Sequence, residues 1–168
     1  MSPFVTLAAS TGPHEPGSAA LPRPIAATDL PELTRLILHA DTTGTAHPGT
    51  ADPANRLSAH FTGGHGTLIR DATLLATDAQ GRITAAIVVT ERAFGAGGHR
   101  TAFIAELFTH PEHRRQGLAE NLLRTAMHNL HAKGRDTVAV TLDSSNAAAM
   151  ALYLAMDFRR WSRQTADG

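Results

Sequence analysis

The sequence has no cysteine. This absence excludes a disulfide scaffold, a thiolate nucleophile and a cysteine zinc site, and it suits a reducing compartment. Runs of eighteen or more apolar residues, which a membrane-spanning helix needs, are also absent. No Lys or Arg precedes Arg23, so the charged start of a secretory signal is missing. We therefore expect a cytoplasmic protein without a membrane partner.

Neither sign of charge is in excess, because 15 Lys and Arg residues balance 15 Asp and Glu residues. Nucleic-acid-binding proteins usually carry a basic excess, so we expect no nucleic-acid partner. With 42% hydrophobic residues in 168, the chain can bury the core of one domain. We expect a flexible leader over residues 1–22, which are rich in Pro, Gly, Ser and Ala, and a single domain over residues 23–168.

Hydrophobic periodicity predicts an α/β domain, in which a β-meander is followed by alternating strands and helices. Asp29 and Glu32 have the spacing of a capping box at the start of the first helix. A turn at 78–81 separates two strand-like segments. The predicted strands are 23–26, 67–77, 82–92, 101–109, 137–142 and 158–164. A first helix is predicted to begin at 29, and three further helices are predicted over about 54–61, 117–132 and 146–155.

The segment 111–119, PEHRRQGLA, connects the most apolar strand to an amphipathic helix. A helix start of this kind leaves backbone N–H groups unpaired at the positive end of the dipole. Gly117 and Ala119 allow close approach to the backbone, and Arg114 and Arg115 add positive charge. The pattern suits a pyrophosphate, although many helices that follow strands begin in the same way. Neither a P-loop nor the three-glycine dinucleotide motif is present.

PEHRRQGLA followed by ENLL resembles the R/Q-x-x-G-x-G/A motif of the GNAT superfamily of N-acetyltransferases. A second GNAT signature is N-x-x-A, then Tyr, then Gly-Phe. It is similar to the segments Asn146–Ala149, Leu152-Tyr153 and Asp157-Phe158. Asp157 replaces the usual glycine, and aspartate tolerates the left-handed conformation better than bulky residues do. The resemblance covers residues 101–160 closely.

The resemblance implies a mixed, mostly antiparallel central sheet with splayed central strands, flanked by helices. It also implies acetyl-CoA as co-substrate, with the main chain of residues 107–109 holding its pantetheine arm. Asn146 contacts that arm or, alternatively, caps its own helix. The implied cofactor-binding residues are Leu107, Phe108, Thr109, Arg114, Arg115, Gln116, Gly117, Leu118, Ala119, Glu120 and Asn146.

The implied activity is transfer of the acetyl group to an amine of a small molecule, a protein N-terminus or a protein side chain by direct attack. By resemblance Tyr153 is the general acid, since a phenol of pKa ~10 can protonate a thiolate whose acid has a pKa of ~8.5. Glu106 is the only ionisable residue in the apolar run, which makes it a candidate base or substrate contact. Relatives with an acidic base often place it at the position of Ala105. Adjacent strand residues face opposite sides unless a bulge intervenes.

Two other functions remain open at this point. A noncatalytic acyl-CoA-binding or regulatory domain is favoured by Ala105 and opposed by Tyr153, and an unrelated phosphate-binding enzyme would not need the second motif. The ten histidines include pairs at 110/113 and 128/131, but no carboxylate completes a ligand set, so we expect surface histidines and no metal. A homodimer is a further open alternative, and the sequence does not identify the amine acceptor.

Overall fold

The computed structural model describes residues 4–12, 21–42, 52–63, 66–94, 99–113 and 117–161. The described helices are α1 (Leu30–His39), α2 (Pro53–Thr62), α3 (Leu118–Ala132) and α4 (Ala147–Ala155). The described strands are β1 (Phe4–Ser10), β2 (Arg23–Pro24), β3 (Asp41–Thr42), β4 (Thr67–Leu68), β5 (Leu74–Thr77), β6 (Ile83–Phe94), β7 (His99–Thr109), β8 (Thr137–Asp143) and β9 (Arg159–Arg160). None of the described helices is both long enough and apolar enough to cross a membrane.

These strands form one sheet in the order β2-β5-β6-β7-β8-β1-β9, with β3 paired to β7 and β4 paired to β6. Of the described strand pairs, β7–β8 is parallel and the others are antiparallel. The predicted mixed, mostly antiparallel sheet with flanking helices is thereby confirmed. A parallel neighbour needs a long crossover, which here contains α3.

The N-terminal segment corrects the sequence-based prediction. Residues Phe4–Ser10 form β1, which pairs with β8 along its whole length, and Leu7 is only 2% exposed. The prediction of a flexible leader over residues 1–22 is therefore wrong for residues 4–10, while residues 13–20 lie outside the described part of the chain. Leu7 and Ala9 show the alternation of a strand, but a pattern this short does not predict a strand unless its partner β8 is known.

The start of α1 also differs from the prediction. The Asp29 carboxylate accepts a hydrogen bond from the Ala26 N–H at 2.7 Å and one from Arg23 at 2.9 Å, and it makes no side-chain cap to α1. Glu32 accepts a hydrogen bond from the Ile83 N–H at 2.7 Å on the neighbouring sheet. The predicted capping box is therefore wrong, because residues just before α1 engage Asp29 and the neighbouring sheet engages Glu32.

The strand predicted over residues 67–77 is interrupted. A 3-10 turn at Arg70–Ala72 separates β4 from β5, whereas the predicted turn at 78–81 does connect β5 to β6. The short helix predicted near 54–61 is confirmed as α2, and the Asp52 side chain caps it by accepting from the Asn55 N–H at 3.0 Å.

Two hydrophobic clusters lie on opposite faces of the sheet. The α3/α4 face is covered by α3 and α4, and the α1/α2 face by α1 and α2. Alternation along β6 shows the division directly, since 85, 87 and 89 belong to the first cluster and 86 and 88 to the second. The largest helix residues in these clusters are Leu122, Leu123, Met127 and Tyr153 on the α3/α4 face, and Leu33, Leu36, Ile37 and Leu57 on the α1/α2 face.

Candidate active site

The two central strands separate in the middle of the sheet. β7 and β8 pair at Ala102↔Val138 and Phe103↔Ala139. Beyond these positions β7 continues along β6, and β8 continues along β1. The two strands therefore diverge, as predicted, and leave a wedge between them. We call the end where they pair the closed end of the wedge.

The wedge leads towards the N-terminus of α3. Gly117 directly precedes the helix in the left-handed conformation, with φ of +73°, and no other described atom lies within 4 Å of the position a Cβ would take. Leu118 and Ala119 pack against the α3/α4 cluster, and Glu120 forms an ion pair with Arg124 at 3.1 Å. The helix start thus presents backbone to open space, which is the arrangement an anion can use.

The remaining residues of the predicted pyrophosphate loop cannot be placed. Arg114, Arg115 and Gln116 lie outside the described residues. Their contribution to anion binding therefore stays a prediction from the sequence.

The edge of β7 that faces the wedge is already partly paired. Since β6 occupies one edge of β7, β8 and β3 share the other edge. There Phe108 pairs with Thr42 and Thr109 pairs with Asp41. Leu107 lies in the α3/α4 cluster. Two of the three residues predicted to hold a pantetheine arm thus have β3 as a neighbour, a strand that the sequence did not predict.

A β-bulge determines the direction of Glu106. The register passes from Val89↔Ile104 to Val88↔Glu106 and leaves Ala105 as the extra residue. Ala105 belongs to the α1/α2 cluster, and the Glu106 carboxylate contacts α2. Both residues therefore face the α1/α2 side, which settles the orientation that alternation alone left open.

Glu106 is 0% exposed and is held by two side chains of α2. Arg56 donates to it through Nε at 2.7 Å and through Nη2 at 3.4 Å, and His60 Nε2 lies 2.9 Å from Oε2. Burial of a carboxylate is costly unless it is paired and hydrogen-bonded, and both conditions are met here.

His60 is only 1% exposed, so the prediction that the histidines lie at the surface is wrong for this residue. Arg56 and His60 stand four residues apart, which places them on the same side of α2. That spacing was the only sequence signal for the group, and it did not indicate Glu106 as the partner.

A second arginine lies on the same face of the sheet. The Arg92 guanidinium is centred 5.5 Å from the centroid of the Phe103 ring, and its Nε donates to Thr90 Oγ1 at 3.3 Å. Burial lowers the pKa of Arg92, and the negative charge of Glu106 acts in the opposite direction. Sequence reasoning missed Arg92, because an arginine near the end of a strand is usually a solvent-exposed residue.

The residues of the second motif lie on α4 and directly after it. Asn146 caps α4 by accepting from the Ala149 N–H at 3.0 Å, which is one of its two predicted roles. Tyr153 is 0% exposed, and its ring meets that of Phe158 edge-on at 5.2 Å in the α3/α4 cluster. Asp157 adopts the left-handed conformation expected of it, with φ of +68°.

The histidines at 110 and 113 lie next to each other after β7. His110 Nδ1 accepts from the Glu112 N–H at 3.1 Å, and the two imidazole rings meet edge-on at 5.5 Å. Among the described residues, no three His, Asp or Glu side chains are grouped closely enough to hold a metal ion.

Residues 40–158 match the model of the acetyltransferase (GNAT) family. This chain belongs to the GNAT acetyltransferase family. The match contains the wedge, the Gly117 turn, Glu106 and Tyr153. It begins after β1, so the N-terminal strand is an addition to the matched segment.

Solved structures share the GNAT fold with this chain. A GNAT-family protein from Novosphingobium aromaticivorans DSM 12444 has a TM-score of 0.64 and 23% identity, over 94% of this chain and 60% of its own. The ribosomal-protein-S18-alanine N-acetyltransferase from Escherichia coli has a TM-score of 0.61 and 21% identity, over 84% of this chain and 78% of its own.

An aminoglycoside antibiotic 6'-N-acetyltransferase from Acinetobacter haemolyticus has a TM-score of 0.64 and 17% identity, over 85% of this chain and 93% of its own. At these identities the likeness shows the fold alone. The chain spans 60% of the length of the Novosphingobium protein and 48% of the length of a GCN5-related N-acetyltransferase from Sphaerobacter thermophilus. No curated protein sequence matches it significantly.

Proposed function

We propose that this GNAT protein transfers an acetyl group from acetyl-CoA to an amine. The observation that carries the proposal is the wedge between β7 and β8, which leads to the open backbone at Gly117. Glu106, buried beside the bulge in β7, supplies an ionisable group close to the point where the strands separate. Acetyl-CoA and an amine acceptor are the proposed partners, and the cytoplasm is the proposed location.

The residues present suit acetyl-CoA. The open space around Gly117 admits a pyrophosphate next to the first N–H groups of α3, and the side chains of Arg114, Arg115 and Gln116 add to its binding. The main chain of residues 107–109 holds the pantetheine arm. Since β3 pairs with Phe108 and Thr109 on the same edge, the arm replaces β3 at these positions.

Acetyl-CoA, when bound, supplies a thioester whose carbonyl carbon takes the amine nitrogen and whose sulfur leaves. Main-chain N–H groups of β7 stabilise the negative charge that develops on the carbonyl oxygen, because they are fixed in place before the charge appears. Glu106 accepts the proton that the amine loses, directly or through water. Tyr153 donates its hydroxyl proton to the leaving sulfur.

The partners of Glu106 favour its role in orienting the amine. Arg56 donates to both oxygens of the Glu106 carboxylate and thereby orients it for a hydrogen bond from an ammonium or amine. His60 contacts the same oxygen that Arg56 Nε contacts, and both therefore fix the carboxylate beside the bulge.

The binding half of the proposal is tested with two matched glycine variants. Gly117 and Gly134 lie before and after α3, both have positive φ, and both have open space at the Cβ position. Asparagine tolerates this conformation better than most residues, so Gly117→Asn and Gly134→Asn carry similar strain. We expect calorimetry to show at least about tenfold weaker acetyl-CoA binding for Gly117→Asn only. Equal affinity in the two folded variants would place the pyrophosphate elsewhere.

The catalytic half is tested with Tyr153→Phe, which removes one hydroxyl and little volume from a buried position. Loss of a positioned general acid should lower kcat by about 10² to 10⁴-fold while acetyl-CoA affinity persists. The measurement is release of CoA in the presence of a panel of amines. If the wild-type protein binds acetyl-CoA but acetylates no amine, it is a noncatalytic acyl-CoA-binding domain.

A further inference from the structure

Arg92 shares the α1/α2 face of the sheet with Glu106, and the two groups differ in their partners. Glu106 is engaged by Arg56 and His60. Arg92 has no carboxylate within 4.0 Å among the described residues, and its hydrogen bond goes to the neutral Thr90. Of the two guanidiniums on this face that lie near Glu106, Arg56 is paired with its carboxylate and Arg92 is not.

The position of Arg92 separates it from the predicted pyrophosphate site. Arg92 pairs with Thr101 at the closed end of the wedge, whereas α3 begins after the other end of β7. At ~3.3 Å per residue, Thr101 and Thr109 lie about 26 Å apart along the strand. Glu106 lies between these two ends, on the same face as Arg92.

The Arg92 side chain extends towards the reactive region. Its guanidinium lies over the ring of Phe103, which is three positions before Glu106 on β7. A guanidinium can bind a carboxylate or phosphate through two N–H groups, and the hydrogen bond to Thr90 uses only Nε.

Solvent reaches Arg92 through an open surface cavity of about 510 Å³. Gly63, Gly66 and Thr67 line the cavity together with Arg92 and the Glu91–Arg100 ion pair. The carboxylate of Glu91 is already paired, with Arg100 and with Arg135. A ligand group can therefore enter from solvent and meet Arg92 as the cation without a partner.

We propose that Arg92 binds an anionic group of the acceptor, so that the substrate is an amine that also carries a carboxylate or a phosphate. This inference rests on the proposed acetyl transfer, and it adds the chemical class of the acceptor. Arg92 acts here as a specificity-determining residue, with the anion held at the guanidinium and the amine directed towards Glu106. Amines without an anionic group leave the half-buried Arg92 without a carboxylate or phosphate partner and bind less tightly.

The experiment measures kcat/KM for acetylation of matched pairs of amines by the full chain. The pairs are ω-amino acids from glycine to 6-aminohexanoate with their amides, and 2-aminoethyl phosphate with ethanolamine. We expect the wild-type protein to prefer the anionic member of at least one pair by about 10- to 100-fold, the range of a hydrogen bond to a charged group. The pair with the largest preference reports which anion is taken and the spacing between amine and anion.

Three variants then identify the residue responsible. Arg92→Gln should reduce the preference to about onefold with unchanged acetyl-CoA affinity, and Arg92→Lys should retain part of it. Arg82→Gln is the matched control, because it removes the same charge from the exposed turn before β6, where Arg82 pairs with Asp78. Arg82→Gln should keep the wild-type preference, which separates local binding from the effect of net charge.

Each outcome bears on a different claim. Acetylation of amines without preference for the anionic members overturns this inference and leaves the proposed function intact. A preference that survives Arg92→Gln assigns the anion to another residue and also overturns the inference. Failure to bind acetyl-CoA or to acetylate any amine overturns the proposed function, and with it the inference.

Discussion

The two faces of the sheet are built from the same strands and differ in what they bury. The cluster on the α3/α4 face buries apolar side chains together with the ring of Tyr153. The α1/α2 face buries a carboxylate and a histidine, with an arginine pairing the carboxylate. Apolar burial stabilises a fold, whereas buried ions cost free energy even when they are paired. Glu106, the proposed acceptor of the amine proton, lies on the face that buries charged groups, whereas Tyr153, the proposed general acid, lies on the apolar face.

The largest expected effect comes from the strand that extends the apolar face. Deletion of residues 1–10 removes β1, which buries Leu7 and Ala9 and pairs with β8. We expect a loss of at least about 5 kcal/mol in the free energy of unfolding, or roughly 10–20 °C in Tm for a protein of this size. Thermal unfolding followed by circular dichroism measures the change. An unchanged Tm would show that β1 adds little to the apolar face.

The next largest effect is expected from a substitution that breaks the ion pairs of the α1/α2 face. Glu106→Gln leaves Arg56 without its carboxylate and should destabilise the protein by about 3 to 5 kcal/mol. It should also lower kcat/KM by at least about 10² if Glu106 accepts the amine proton. A lost base is partly rescued at high pH, where the amine is already deprotonated, whereas a lost substrate contact mainly raises KM. Unchanged kinetics at every pH would remove Glu106 from the mechanism.

A substitution on the apolar face should cost similar stability without a change in rate. Leu123 is 0% exposed in the α3/α4 cluster, so Leu123→Ala should lower the free energy of unfolding by about 2 to 5 kcal/mol. At a temperature where the variant is folded, kcat should stay within about twofold of the wild-type value. Denaturant titration and steady-state kinetics together test this. A rate loss as large as that of Glu106→Gln would abolish the distinction between the faces.

The smallest effect concerns an ion pair at the surface. The hydrogen bond from Arg23 lowers the pKa of Asp29, so the pair contributes stability above the unfolded pKa of ~3.9 and loses it as pH falls through the lower folded value. Since Arg23 is 50% exposed, we expect Asp29→Asn to cost less than about 1 kcal/mol at pH 7. Urea titrations at pH 7 and below pH 3 should show the difference shrinking. A difference that does not depend on pH would show that the charge of Asp29 does not contribute to the stability.

Much of the second half of the chain was predictable because its signals are local. The apolar run of β7, the Gly117 helix start, the i+4 rows of α3 and the left-handed Asp157 each depend on neighbours within one or two turns. The two linked motifs added the family, and the match over residues 40–158 agrees with it.

The sequence by itself thus determined the sheet-and-helix order, the wedge expected between two strands and the glycine at the start of α3. Only the tertiary structure decided that residues 4–10 are a strand, since a short alternating segment needs β8 to satisfy its backbone. It alone decided that a bulge turns Glu106 towards α2, because a single extra residue in a register leaves no trace in composition. It alone joined Glu106 to Arg56 and His60, which precede it by 50 and 46 residues, because the cost of burying a charge selects partners through space and not along the chain.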